Sequence, residues 1–265
     1  MSLSHIPINP DYGTGCFRRL VRTFRVPGKI LLTLDDTHHS MWLVMHHALG
    51  RISDVEACVA RGPATSCGTA AVALNTLIGL AIDGNMSAFQ DRLPPILNCT
   101  HLVDLARWAF TSATGQSPLL REVLVEIPDE AGTPVWITVE RDGMLVHRWY
   151  VQDHHVILPE HLAGRPLMKG FMSWAREQFS GEDLDLAIML QRGVFVARGR
   201  RHLVDLAPPV PLSAAPAMRN ACHSYSPAHF ETATSVVGYV RDFTSGVSAA
   251  PLPPSITASF KGFFQ

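Results

Sequence analysis

Four stretches of strand-forming residues lie close together near the start of this chain, and their spacing strongly constrains the fold. They cover residues 17–26, 29–35, 40–49 and 52–60. Only Pro27 and Gly28 separate the first two stretches, and Gly50 and Arg51 separate the last two. Short connections join antiparallel strands, whereas parallel strands need a long crossover. The spacing therefore predicts an antiparallel β-meander.

Two helices are predicted to follow this meander. Apolar residues recur at helical spacing from Cys67 to Ile78, and Gly79 lies near the end of that stretch. A second apolar stripe begins just after Thr100, which is a suitable N-cap. These helices are long enough to cover one face of the meander.

The same order of elements recurs in the second half of the chain. Strands are predicted over residues 121–127, 135–141, 145–151 and 155–158, with a hairpin turn at Asp142 and Gly143. Helices are predicted over 166–179 and 182–197, with a shorter one near 227–237. The predicted class is α+β, with two antiparallel β-meanders each backed by α-helices.

This pattern divides the chain into four segments. Residues 1–16 form an irregular N-terminal arm, and residues 17–115 form the first meander with its helices. Residues 120–245 form the second meander with its helices, packed with the first as one unit, and residues 246–265 form an irregular tail.

Composition and charge exclude several functional classes. The 22 Lys and Arg residues nearly balance the 23 Asp and Glu residues, which argues against a nucleic-acid partner. The longest apolar runs, such as residues 41–45, are too short to cross a membrane, and residues 1–11 do not resemble a signal peptide. Five irregularly spaced cysteines favour a reducing cytoplasm. A mean hydropathy of +0.13 is consistent with extra burial in a homodimer.

An acidic turn lies between the second and third predicted strands. Asp35, Asp36, Thr37 and His38 follow one another there, and Asp36 with His38 would suffice for general acid–base chemistry. An ordinary polar turn explains the same residues, because aspartate is common in turns. Both interpretations remain open.

Cysteine and histidine side chains mark the starts of the two predicted helices. Cys67 opens the first, while Cys99 and His101 flank the start of the second. Asp104 lies three residues after His101 and can share its helix face, so it is a candidate to orient the imidazole. Cys67, Cys99 and His101 are candidate ligands for zinc or iron, although no C-x-x-C or H-E-x-x-H motif is present. Buried structural cysteines are the alternative.

Other side chains are candidates for binding a substrate. Arg18 or Arg19 can pair with a carboxylate or phosphate group, while a solvated strand face is the alternative. Trp42 and Trp174 can line an apolar pocket, or they can belong to the core. The sequence has no G-x-G-x-x-G, P-loop or nucleophile-elbow motif, so no nucleotide cofactor is expected.

Several short motifs together resemble the bacterial domain-of-unknown-function family 2889, from about residue 17 to about residue 245. The motifs are Arg18–Arg19, Leu34–Asp35–Asp36–Thr37–His38, Cys67 with Ala70–Ala71 and Leu77–Ile78–Gly79, Cys99–Thr100–His101–Leu102, Gly170–Phe171–Met172–Ser173–Trp174, Leu190–Gln191–Arg192 and Gly238–Tyr239–Val240–Arg241–Asp242–Phe243–Thr244. The resemblance implies an association with the degradation of aromatic, steroid or other cyclic carbon sources. It thus implies a small apolar substrate and leaves the reaction open.

The first half is also similar in layout to scaffold proteins for iron–sulfur cluster assembly. In those proteins an acidic residue on the meander and helix-start Cys and His residues bind zinc or a cluster. The similarity implies Asp36, Cys67, Cys99 and His101 as counterparts. The chain departs from that pattern in its length and in its second half.

Three functions are consistent with these features. The first is a cofactor-independent catabolic enzyme, such as a lyase that cleaves a C–C or C–O bond in a small aromatic or alicyclic metabolite. His101, oriented by Asp104 or Asp36, would be its acid or base, and His38 a second proton carrier. The second is a hydrolase or transferase with Cys67 or Cys99 as nucleophile. The third is an accessory protein that binds a metal or a ligand.

Overall fold

One antiparallel sheet of eight strands forms the centre of the protein. The computed structural model describes residues 6–114, 119–206 and 208–264. The strand order is β4-β3-β2-β1-β5-β6-β7-β8. The strands are β1 (Cys16–Val26), β2 (Lys29–Asp36), β3 (Ser40–Ala48), β4 (Arg51–Arg61), β5 (Leu120–Pro128), β6 (Val135–Arg141), β7 (Met144–Gln152) and β8 (His155–Leu158).

The two predicted meanders are the two halves of this sheet, so the α+β class is confirmed. They join along β1 and β5, whose register runs from Cys16 opposite Pro128 to Phe24 opposite Leu120. The predicted hairpin at Asp142 and Gly143 is present, with φ values of 53° and 75° at these two residues. Two consecutive positive φ values give the backbone twist that a two-residue hairpin needs.

Helices cover one face of the sheet. They are α1 (Met86–Arg92), α2 (Thr100–Thr114), α3 (Phe171–Gln178) and α4 (Gly181–Ala197). Helix α2 packs on β2 and β3, and α4 packs on β5, β6 and β1. Alternation along each strand sends every second side chain to this face, where apolar residues such as Leu32, Leu43 and Val125 are fully buried. We call it the helix face.

The C-terminal segment covers part of the opposite face. Helix α5 (Pro254–Ser259) lies within the tail that was expected to be irregular. Ile256 and Phe260 are four residues apart, and they pack in one apolar cluster with Leu31 and Val44. Pro254 is suited to the first turn of a helix, because its missing N–H would have no partner there.

Two predicted helices differ from the structure. The segment Cys67–Leu77 is a 3-10 helix, and the preceding Ser66 makes no side-chain cap. Residues 227–232 form hydrogen-bonded turns, after which Thr234 and Ser235 form isolated β-bridges. The β-branched residues that follow in this region favour extended backbone. Among the described residues, no helix is long and apolar enough to cross a membrane.

Candidate functional site

The turn between β2 and β3 is built around the carboxylate of Asp36. Its Oδ1 accepts hydrogen bonds from the backbone N–H groups of His38 and His39, both at 2.8 Å. The Asp36 N–H donates in turn to the His39 carbonyl at 2.9 Å. An aspartate that binds backbone two or three residues ahead fixes a tight turn. Both histidines are therefore held close to this carboxylate.

Arg19 forms a buried ion pair with Asp36. The two residues are opposite each other in the β1–β2 register, and Nε and Nη2 of Arg19 donate to Oδ2 of Asp36 at 2.8 and 2.6 Å. Burial alone would raise the pKa of Asp36, but His39 and Arg19 outweigh it and hold this pKa well below its ordinary value. The carboxylate is therefore ionised although its side chain is fully buried.

His39 is held by the same carboxylate and lies against a second imidazole. Its Nδ1 is 3.1 Å from Oδ1 of Asp36, and its ring centroid is 4.3 Å from that of His101. Because Asp36 accepts a hydrogen bond from Nδ1–H of His39, Nε2 of the neutral ring carries a lone pair that can accept a proton. A tenth of the His39 side chain is exposed, so this group is near the surface.

His101 is a neutral imidazole in the first turn of α2. Burial, together with the electrostatic influence of His39 and Arg19, holds its pKa well below the ordinary value. Its Nδ1 is buried and has no hydrogen-bond partner among the residues that the structure describes. A buried nitrogen without a hydrogen-bond partner lowers the stability of the folded protein. Its presence here therefore favours a functional role for His101.

Asp104 does not lie where the sequence prediction placed it. Its carboxylate accepts a hydrogen bond from Nε of Arg192 at 3.2 Å, and no hydrogen bond to His101 is present within the described chain. Asp36 instead orients a histidine, but that histidine is His39. The pair Asp104–Arg192 links α2 to α4 and so connects the two halves of the protein.

Arg61, the last residue of β4, stabilises the turn between β2 and β3 by hydrogen bonds. Its guanidinium donates to the carbonyl oxygens of Asp36 and His39, both at 2.7 Å, and to those of Thr37 and Tyr239 at 3.1 and 2.9 Å. A planar guanidinium can serve several acceptors at once, which an ammonium group does with less geometric control. Arg61 therefore positions the backbone that carries both histidines.

His38 lies against Gly199 and against the ring of Tyr239, whose centroid is 5.8 Å away. Burial lowers the pKa of His38 to about 4, so its imidazole is neutral. Its Nε2 has no hydrogen-bond partner within the described segments. A Cβ built on Gly199 would lie only 2.7 Å from that atom, so this close approach requires glycine.

The four predicted substrate-binding residues do not share one pocket with this site. Arg19 is engaged by Asp36, while Arg18 pairs with Glu126 on the opposite face of the sheet. Trp42 packs on that opposite face with the C-terminal segment. Trp174 is 3% exposed and belongs to the core. The structure thus gives Arg19 a positioning role and gives Trp174 a packing role.

The cysteines that were candidates for nucleophile or ligand are buried thiols. Burial raises the pKa of Cys67, whose Sγ is 3.4 Å from Oγ of Ser224. Burial also raises the pKa of Cys99 to about 12. Both thiols are therefore protonated near neutral pH, and a protonated thiol is a poor nucleophile and a poor ligand.

Cys67, Cys99 and His101 do not form a compact ligand set. Within the described chain, only one group of three or more His, Cys, Asp or Glu side chains has its ligand atoms all within 4.8 Å of one another, and it contains none of these three residues. The proposed zinc or iron site at these residues stays a prediction without a preformed geometry.

Two of the cavities among the described residues are candidates for binding a substrate. A cleft of about 410 Å³ opens at the same end of the sheet as Asp36 and is lined by Tyr12, Glu130 and Arg201, among others. A groove of about 20 Å³ lies between α2 and α4, where Asp104, Trp108 and Met189 are among its lining residues. The groove begins one helical turn beyond His101.

The fold and the site define an α+β protein with a buried Arg–Asp–His cluster at one end of its sheet. Residues 22–114 match the sequence model of a family described as "Protein of unknown function (DUF2889)", and this match supports membership of that family. The matched segment contains Asp36, His39 and His101 but begins after Arg19. Comparison with curated proteins and with solved structures gives no match.

Sequence reasoning missed His39 and Arg61. A signal for His39 was present, because an aspartate in a turn commonly binds the residue two or three positions ahead. Arg61 gave no local signal, since its four acceptors come from two segments far away in the chain.

Proposed function

We propose that this protein is a cofactor-independent enzyme that acts by general acid–base catalysis, with His39 as the base and His101 as its neutral partner. One distance carries the proposal: Nδ1 of His39 lies 3.1 Å from Oδ1 of Asp36. A carboxylate that holds one imidazole nitrogen fixes the tautomer and stabilises the imidazolium after proton transfer. The sequence predicted His101 as the base; we instead propose His39, whose ring contacts that of His101.

The chemistry follows from the charges of these groups. Nε2 of His39 takes a proton from a carbon or oxygen atom of the substrate, and the resulting imidazolium is stabilised by the ionised Asp36. His101 is neutral and carries one N–H, which can donate a hydrogen bond to an oxygen atom of the substrate. Arg19 touches no substrate in this scheme; it keeps Asp36 ionised and in place.

The groove between α2 and α4 is the place that we assign to the apolar part of the substrate. Trp108 and Ile188 offer apolar walls there, and Asp104 lies at the end nearest His101. The present volume of about 20 Å³ is too small for a ring. Met189 also lines the groove, and its flexible side chain can move to make room.

The substrate class and the reaction are those expected from the resemblance. We propose a lyase that cleaves a C–C or C–O bond in a small aromatic or alicyclic metabolite. For a C–O bond, His39 removes a proton from the adjacent carbon, that C–H electron pair forms the new double bond, the C–O bond breaks, and the leaving oxygen takes the proton back from the His39 imidazolium. For a C–C bond, His39 removes a hydroxyl proton, that O–H electron pair forms a C=O bond, the C–C bond breaks, and the leaving carbon takes the proton back. In both cases the N–H of His101 donates a hydrogen bond to the oxygen on which charge develops. We place this enzyme in the cytoplasm, where its five free thiols stay reduced, and the homodimer stays a prediction.

The two alternative functions receive less support. A cysteine-dependent hydrolase or transferase needs a thiolate, whereas burial raises the pKa of both Cys67 and Cys99. An accessory protein that binds a metal through Cys67, Cys99 and His101 needs these ligands to move together.

The test is a turnover assay on purified protein with a panel of lignin-type and other ring-containing metabolites, followed by mass spectrometry of the products. For a substrate found in this way, we expect His39→Gln to lower kcat by at least about 100-fold. His155→Gln is the matched control, because His155 is exposed on the edge strand β8. A His39→Gln enzyme with wild-type kcat would refute the role of His39.

A further inference from the structure

Three potential metal ligands lie together on the first edge of the sheet. His46 is opposite Asp54 in the register of β3 and β4, and Val44 is opposite Glu56. Since side chains two residues apart on a strand share one face, His46, Asp54 and Glu56 all lie on the face opposite the helices. Backbone pairing therefore fixes the relative positions of all three residues.

Their spacing is close to that of ligands in one coordination shell. Nε2 of His46 is 2.7 Å from Oε1 of Glu56, and one ligand atom from each residue lies within 4.8 Å of the other two. Bonds of about 2.0–2.2 Å to a zinc ion place its ligands up to about 4.4 Å apart. Among the described residues, no other group of this kind has this spacing.

A local hydrogen bond orients the Asp54 carboxylate, and His46 and Glu56 are accessible to solvent. Oδ1 of Asp54 accepts a hydrogen bond from the Val55 N–H at 2.9 Å, which orients this carboxylate. The His46 side chain is 20% exposed and that of Glu56 is 48% exposed, so the site stays open to water molecules and to an entering ion. Lys29 is the register partner of His46 on β2, on the side of β3 away from the two carboxylates.

We propose that His46, Asp54 and Glu56 form a binding site for a divalent first-row transition-metal ion such as Zn²⁺. One imidazole nitrogen and two carboxylate oxygens favour such an ion, because imidazole is a weak ligand for Mg²⁺ and Ca²⁺. On binding, the ion replaces the hydrogen bond between His46 and Glu56 as the link between these two side chains.

This site is independent of the acid–base site. His46 lies seven positions after His39 in the chain, which corresponds to about 23 Å along a strand, and His46 lies on the other face of the sheet. The ion links β3 to β4, which is the edge strand at this side of the sheet. We therefore expect a bound ion to stabilise this edge, whatever the fate of the proposed enzymatic activity.

The experiment is a titration of EDTA-treated protein with Zn²⁺ by calorimetry, with Mg²⁺ in a parallel titration. We expect saturable Zn²⁺ binding with a component of one ion per chain, at least tenfold tighter than Mg²⁺. His46→Gln and Glu56→Gln should each weaken that component at least tenfold, while His155→Gln should leave it unchanged. At a free Zn²⁺ concentration of 100 times Kd, the Tm of the wild-type protein should rise by roughly 5–10 °C.

A second measurement does not depend on how the variants fold. Mn²⁺ broadens NMR signals of nearby nuclei, so substoichiometric Mn²⁺ should first broaden the amides around His46, Asp54 and Glu56. The absence of saturable Zn²⁺ binding would overturn the proposal. So would a one-ion component that persists unchanged in His46→Gln, or broadening centred on another part of the protein.

Discussion

The guanidinium of Arg19 and the carboxylate of Asp36 face each other across β1 and β2, and both are removed from solvent. The same carboxylate accepts from two backbone N–H groups of the turn and from Nδ1 of His39. One buried anion thus fixes a strand pair, a turn and an imidazole. Arg19 therefore helps to hold in place the anion that orients the proposed base.

The first prediction concerns that ion pair. Arg19→Met leaves a buried carboxylate without its cation, so it should lower the free energy of unfolding by about 3–5 kcal/mol. Adding Asp36→Asn should restore part of this loss, because the amide oxygen can still accept from the turn and no charge remains. Urea unfolding measures both effects. Arg22→Met is the control, since the Arg22–Glu122 pair is exposed and should contribute less than about 1 kcal/mol.

The second prediction concerns pH. Burial lowers the pKa of His38 to about 4 and that of His101 well below its ordinary value of 6.5, so the unfolded chain binds more protons than the folded one between pH 5 and 6.5. The stability should therefore rise with pH in this window, by about 1–2 kcal/mol for each of the two histidines. Buried carboxyls with raised pKa values, such as Asp35, act in the opposite direction at lower pH.

Chemical denaturation at several pH values tests this second prediction. His38→Gln should reduce the slope of stability against pH by about the contribution of one histidine. A wild-type stability that stays flat or falls between pH 5 and 6.5 would show that these imidazoles are not buried in their neutral form.

The third prediction concerns the contact between His38 and Gly199. Gly199→Ala places a methyl group 2.7 Å from Nε2 of His38, and we expect a loss of about 1–3 kcal/mol of stability. Removing the ring as well, in His38→Ala with Gly199→Ala, should make the alanine at 199 far less costly. Gly68→Ala is the control, since nothing lies within 4 Å of a Cβ at that position. Equal costs for Gly199→Ala with and without the His38 ring would contradict this packing.

The fourth prediction concerns thiol reactivity. Because burial raises the pKa of Cys67, Cys99 and Cys222, iodoacetamide at pH 8 should label them more slowly than a free cysteine. Cys99, with a pKa of about 12, should be slower by about 1,000-fold. Labelling in urea should abolish the difference. Rapid labelling of Cys67 or Cys99 in the folded protein would instead revive the cysteine-dependent alternative.

The sheet was predictable because turn-forming residue pairs, such as Pro27–Gly28 and Asp142–Gly143, mark the connections between its strands. A two-residue turn at Pro27 and Gly28 pairs Val26 with Lys29, and counting back from that pair puts Arg19 opposite Asp36. The ion pair was therefore available from the sequence once the register was counted. It also distinguishes Arg19 from Arg18, which lies on the other face.

The rest of the site depends on contacts between distant segments. Asp104 was expected to orient His101, because residues three apart share a helix face, but Arg192 from α4 takes its carboxylate. No local rule predicts how α4 packs against α2, since that depends on the whole core. The same holds for Arg61 and for Gly199, whose partners lie more than twenty and more than one hundred residues away, respectively.

The most direct test of the central claim is the tautomer of His39 at pH 7.5, measured by long-range ¹H–¹⁵N correlation NMR on the ¹⁵N-labelled protein. We predict a protonated Nδ1 and an unprotonated Nε2 in the neutral ring, with Nδ1–H bonded to Asp36, and a loss of this preference in Asp36→Asn. A neutral His39 that carries its proton on Nε2, or a tautomer that does not respond to Asp36→Asn, would show that Asp36 does not prepare His39 as a base.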